Sequence, residues 1–134
     1  MKHLDKRFFL NISGGNTEAE PIRVNEINGY SVTAEWGAKG GRTGVLKLQA
    51  SNDYFMRYQS ATSEDPQEIM YGSNPGATWV DIAGSTKVVD ATADSHLWNV
   101  SETFYAVVRL VWVGTGGGGT DDVKAVIHGQ GYSL

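Results

Sequence analysis

The residues best suited to chemistry are His3, His96 and His128, the acidic pairs Glu64-Asp65 and Asp121-Asp122, the acids Glu18 and Glu20, and the run Gly116 to Gly119. None of them forms a reactive set. The histidines are scattered and lack a metal-ligand spacing such as H-x-x-x-H. Nothing near them has the strand-turn-helix context of a nucleophile elbow. Asp121-Asp122 follows a glycine run, and paired carboxylates beside open carbonyls are the hard oxygen ligands that Ca²⁺ takes. A solvated loop tip accounts for the same residues. The glycine run leads into Thr120-Asp121-Asp122, not into Lys-Ser/Thr and a helix, so it does not cradle phosphate. Trp36, Trp79, Trp98 and Trp112 offer a stacking platform for a glycan, yet tryptophans in alternating strands belong mostly to a core. Asn11-Ile12-Ser13 and Asn99-Val100-Ser101 match the glycosylation sequon, which means nothing without secretion. The expectation is a protein with no enzymatic activity, no metal and no cofactor.

The bulk composition points the same way. The chain has 134 residues, so one domain is expected. Hydrophobic residues make up 40% and charged residues 19%, too apolar for a disordered chain. Seventeen glycines are about twice the usual share, which favours many short strands and turns over helices. The absence of cysteine excludes disulfide scaffolds, cysteine nucleophiles and thiolate zinc sites. A formal charge of −4 leaves no general basic footprint for nucleic acid. No apolar run approaches the ~18 residues that span a bilayer. The start of the chain lacks the apolar centre of a secretory leader, so assembly in a cytoplasm is expected.

The elements that must position any site read as strands. Tyr30, Val32, Ala34 and Trp36 alternate with polar residues, as do Leu46, Leu48 and Ala50, and both patterns describe half-buried strands. Thr78 to Ile82, Thr86 to Val89 and Val123 to Ile127 are shorter strands of the same kind. Phe104 to Val113 is almost continuously apolar, so both of its faces must be covered. The glycine-bearing stretches 37–44 and 114–120 predict hairpin loops between neighbours. Seven or eight strands and no credible long helix predict an all-β fold, an antiparallel β-sandwich or jelly roll. Residues 1–21 read as an extended N-terminal arm and 22–134 as the sandwich, with 54–76 inserted as an excursion that lacks a clean period.

Three places stand out as contacts with another protein. Phe8, Phe9 and Leu10 are consecutive and apolar. They form either an ordinary first strand on the body's own sheet or an arm that docks on a neighbouring subunit. Tyr54, Phe55, Tyr58 and Tyr71 give the excursion an aromatic character. Arg109 sits in the middle of the most apolar strand, where a charge is either paired or held in a subunit contact.

Leu97-Trp98-Asn99-Val100, Tyr105 to Trp112, the glycine-rich tip and the final strand ending Gly129-Gln130-Gly131 form one ordered set of motifs. Gly44 to Asp53 and Trp79-Val80-Asp81-Ile82 form another. Together they resemble a small β-sandwich of virion structural proteins in tailed bacteriophages and prophages, over roughly residues 22–131. Members commonly pass from the Ser-Asn-Asp turn to the Trp-Val-Asp strand in a few residues, whereas Tyr54 to Gly76 intervenes here. The resemblance implies a non-enzymatic capsid decoration, head-fibre or tail component. A capsid decoration role would mean binding to a major capsid protein or other virion proteins as a homo-oligomer, a trimer first, and the charge and hydropathy above leave no nucleic-acid or membrane partner to expect. A carbohydrate-binding module that aids adsorption to host glycans is the alternative from another class.

Overall fold

The computed structural model describes residues 2–12, 15–24, 27, 29–37, 42–54, 56–57, 70–71, 77–90, 92–101, 105–116 and 121–131. All regular structure among them is extended. The strands are β1 (Lys2–Ile12), β2 (Thr17–Glu18), β3 (Ile22–Arg23), β4 (Gly29–Trp36), β5 (Thr43–Ser51), β6 (Met56–Arg57), β7 (Met70–Tyr71), β8 (Val80–Asp81), β9 (Lys87–Val89), β10 (Asp94–Ser101), β11 (Val107–Gly116) and β12 (Asp121–Gly131). One sheet has the order β1-β12-β4-β10. A second has the order β2-β11-β5-β8, with β3 also on β11 and β9 also on β5. β6 and β7 form a separate two-stranded ribbon. Every pairing is antiparallel.

Period-two patterning explains how the sheets meet. Tyr30, Val32, Ala34 and Trp36 are buried on β4, while Thr33 and Glu35 are exposed. Leu46, Leu48 and Ala50 are buried on β5, and Val108, Leu110 and Trp112 on β11. Ala50 apart, these side chains join Leu10, Ile12, Trp98, Val123, Ala125 and Ile127 in one core drawn from both sheets. Two half-apolar sheets thus cover one another, as expected of a β-sandwich. Buried indoles are also hydrogen-bonded. Trp98 Nε1 donates to the Ser85 carbonyl at 2.6 Å, and Trp36 Nε1 donates to the Thr92 carbonyl at 3.1 Å. Three of the four tryptophans that a glycan platform would need, Trp36, Trp98 and Trp112, are therefore core residues.

Two expectations need correction. The first concerns the N-terminal arm expected over residues 1–21, whose described residues instead pair within the body's own sheets. Residues 2–12 pair along their whole length with β12, from Lys2↔Gly131 to Ile12↔Asp121. Phe8-Phe9-Leu10 conceals an ordinary alternation: Leu10 and Ile12 are buried, Leu4 and Phe8 pack against the core, and Phe9 points outward. Pairing with β1 carries β12 through Gly131, beyond the Val123 to Ile127 stretch in which alternation is plain.

The second correction concerns connectivity. The chain segments flanking the glycine-bearing stretches do not pair as hairpins. β4 lies in one sheet and β5 in the other, and the same is true of β11 and β12. Alternation states that a strand has one apolar face. It does not state whether the next strand lies beside it or opposite it, and here the facing arrangement buries both apolar faces.

Candidate functional site

The outward face of the six-stranded sheet carries the most organised surface chemistry. Val45, Lys47 and Gln49 alternate outward from β5 and are half-buried. On β11 the outward set is Val107, Arg109 and Val111. Val107 and Val111 are buried although they lie outside the shared core, so this face is sheltered. The register aligns Arg109 with Gln49 and Gln49 with Asp81 in one row across three strands.

Side-chain contacts follow that row. Arg109 Nε and Nη2 both donate to Gln49 Oε1, at 3.0 and 2.8 Å. Gln49 Nε2 donates to Asp81 Oδ1 at 2.9 Å, and Lys47 Nζ donates to Asp81 Oδ2 at 3.0 Å. The Arg109 guanidinium lies over the Trp79 ring, 3.9 Å from its centroid. Such cation–π contacts contribute about 0.5–1 kcal/mol when exposed and more when desolvated. Tyr54 leans on the same indole, with ring centroids 5.3 Å apart and planes at 55°.

The turn after β5 sets this geometry. Ser51 Oγ donates to Asp53 Oδ1 at 2.7 Å, and Thr78 N donates to that same oxygen at 2.9 Å. Asn52 Oδ1 accepts from Ala106 N at 2.9 Å. Ser51-Asn52-Asp53 therefore ties the approach to β11 and the approach to β8 to the end of β5. That brings Tyr54 and Trp79 together despite the 54–76 excursion between them.

Charge is held in place by these bonds. Hydrogen bonds from Gln49 and Lys47 hold the Asp81 carboxyl below the ordinary aspartate value of 3.8. Those from Ser51 and Thr78 do the same for Asp53. Burial pulls the Arg109 guanidinium below its ordinary value, opposed by the fields of Glu18 and Tyr54. The sign for stability follows from the depressed carboxyl values. The folded state binds protons less readily than the unfolded one, so these contacts stabilise above about pH 4 and are lost as pH falls through the native values. Carbon-detected NMR should find both carboxyls titrating below 3.8, with the Gln49 amide signal moving in step with Asp81. A value at or above 3.8 for Asp81 would contradict the row as described.

The expected contact residues are not brought into one patch. Tyr54 and Arg109 share this face through Trp79. Phe9 is 67% exposed on the other sheet, in a row with Lys124, Glu35 and Ser95. Leu10 is 2% exposed and belongs to the core, because its side chain points opposite to that of Phe9; its expected docking role is corrected accordingly. Phe8 is half-buried against that core and borders a cleft of about 260 Å³ with Lys6, Arg7, Glu20, Pro21, Ile22 and Arg23. Tyr71 lies in β7 with its backbone paired to Met56. Phe55 and Tyr58 lie outside the described residues.

Sequence reasoning missed Trp79, Gln49 and Asp81 as partners of Arg109. The available signal was the charge at position 109 in an apolar strand, which demands company without naming it. Among the described residues, no group of three or more His, Cys, Asp or Glu is placed to hold a metal ion. His96 sits edge-on to Trp98, with ring centroids 4.6 Å apart, and partial burial pulls its pKa below the ordinary value. His128 lies elsewhere, on the outer face of β12 opposite Ser31. No family model matches the chain, and no curated protein is found to be similar to it.

Proposed function

We propose that this chain is a non-enzymatic structural protein of a bacteriophage virion, assembled in the bacterial cytoplasm, that decorates the outer capsid surface. The strand order supports a jelly-roll winding for it. With β2 and β3 taken as one broken strand and β8 and β9 as another, the chain crosses between the two sheets at every step except from β5 to β8, the winding of a jelly roll. The observation that carries a binding role is the sheltered outer face of the six-stranded sheet. There a guanidinium is stacked on an indole and held by a glutamine. Half-desolvated Arg and Trp side chains are the residue types in which interface binding energy concentrates. Phe9 and Leu97, 67% and 51% exposed, give the two opposite edge strands of the other sheet one large apolar side chain each.

Removing residues 1–15 does not test this role, since it deletes a sheet strand and two core residues, Leu10 and Ile12. The better test is gold-labelled antibody electron microscopy of virions from cells that carry the gene. Label is expected over the head shell. Label at the tail or baseplate would replace decoration with a tail-subunit role, and virions free of label would overturn the proposal.

A further inference from the structure

The open hydrogen-bonding capacity of the Arg109 site specifies its ligand. Arg109 uses Nε and Nη2 on one oxygen of Gln49 and has no carboxylate within ion-pair distance among the described residues. Its Nη1 has no partner among those residues, and neither has Trp79 Nε1. The one carboxylate in the row, Asp81, is already engaged on both oxygens by Gln49 and Lys47. What remains open is therefore donors, beside a half-buried positive charge flanked by the buried Val107 and Val111. A half-desolvated guanidinium is stabilised most by a planar carboxylate, which accepts two parallel N–H bonds.

From this we infer that Arg109 and Trp79 form a recognition site for an aspartate or glutamate side chain of a partner protein. The inference rests on the binding role proposed above and adds the partner's chemistry. A neutral sugar fits less well. It needs acceptors as well as donors, and one face of the Trp79 ring is already covered by the guanidinium. A carboxylate needs only what is open.

The test is an NMR titration of the full chain, following the Arg109 Nε–H and Trp79 indole N–H signals. The probe is a blocked peptide of alternating valine and glutamate, with its glutamine counterpart as control. Saturable shifts of both signals are expected with the glutamate peptide, and affinity about tenfold weaker or worse with the glutamine peptide. Arg109→Lys keeps the charge but loses the planar fork, so it should weaken binding about tenfold. Trp79→Phe keeps a ring at a half-exposed position and removes the indole N–H, so it should weaken binding severalfold in a folded protein. Equal binding of the two peptides, or none, overturns the inference. Binding of glucuronate without binding of the peptide overturns it in favour of an acidic glycan. Carboxylate recognition by a chain that labels no virion would remove the virion role and leave this site standing. Labelled capsids with no carboxylate preference would do the reverse.

Discussion

Replacing Trp112 by alanine is expected to cost about 3–5 kcal/mol, the range for truncating a buried tryptophan. The side chain is fully buried and is among the largest in the core, facing the opposite sheet from the middle of β11. Its loss removes apolar burial and leaves a void between two sheets that are pinned by their own hydrogen bonds and cannot close on it. Single domains are stable by only about 5–15 kcal/mol, so the change consumes a large part of the total. Urea unfolding followed by circular dichroism should show a lower midpoint at unchanged slope. Trp79→Ala is the contrast. That ring is half-exposed on the outer face, and its loss should cost about 1 kcal/mol through the cation–π contact. If the two variants were equally destabilised, the assignment of inner and outer faces would be wrong.

Gly44→Ala should be nearly as damaging, although it adds a single methyl group. A Cβ at position 44 would overlap the Val113 carbonyl oxygen and lie 2.6 and 2.7 Å from Trp112 Cη2 and Cζ2. The carbonyl belongs to the neighbouring strand and the ring is locked in the core. The methyl group can be admitted only by prising β5 from β11 where the register already shifts, between Gly114 and Gly116. Overpacking of this kind costs about 1–3 kcal/mol, and rigid neighbours put it at the upper end. Pairing Gly44→Ala with Trp112→Leu tests the cause. With the ring gone, the added penalty should shrink, giving a favourable coupling of about 1 kcal/mol in a double-mutant cycle. Strict additivity would place the strain elsewhere.

The legible parts of the fold were those with unbroken alternation. Tyr30 to Trp36 and Leu46 to Ala50 declare a wet face and a dry face by themselves. Val107 to Val113 declares burial on both sides, and Val107, Val108, Leu110, Val111 and Trp112 are all buried. β1 was harder because Lys6 and Phe9 interrupt its pattern. Lys6 takes an inward position and is nevertheless exposed, beside the cleft with Glu20 and Arg23. Phe9 takes an outward position and is apolar. Leu4, Phe8, Leu10 and Ile12, spaced by multiples of two, carried the correct signal. The sheet assignments were not legible, because a loop of glycines permits a hairpin and an arch equally. The Arg109 site was half legible. Position 109 announced a charge needing a partner, but Gln49 and Trp79 reach it through strand pairing across 60 and 30 residues, which no local pattern encodes. Arg42 went unnoticed. It is fully buried at the edge of the loop before β5, where its Nη2 donates to the Gly37 carbonyl.

The last strand, β12, occupies the slot between β1 and β4. During translation the first of these neighbours emerges from the ribosome more than a hundred residues before the strand that must lie beside it. Until the codons through residue 131 have been read, β1 has no lateral partner and β4 is bounded by β10 alone. Nascent polypeptide therefore waits with an unzipped edge, and the sandwich closes only once residue 131 has emerged, at the slow pace that distant pairings impose. Ribosome-stalled chains ending before residue 121 should accordingly remain protease-sensitive, while extension well past residue 131 should bring resistance in a single step.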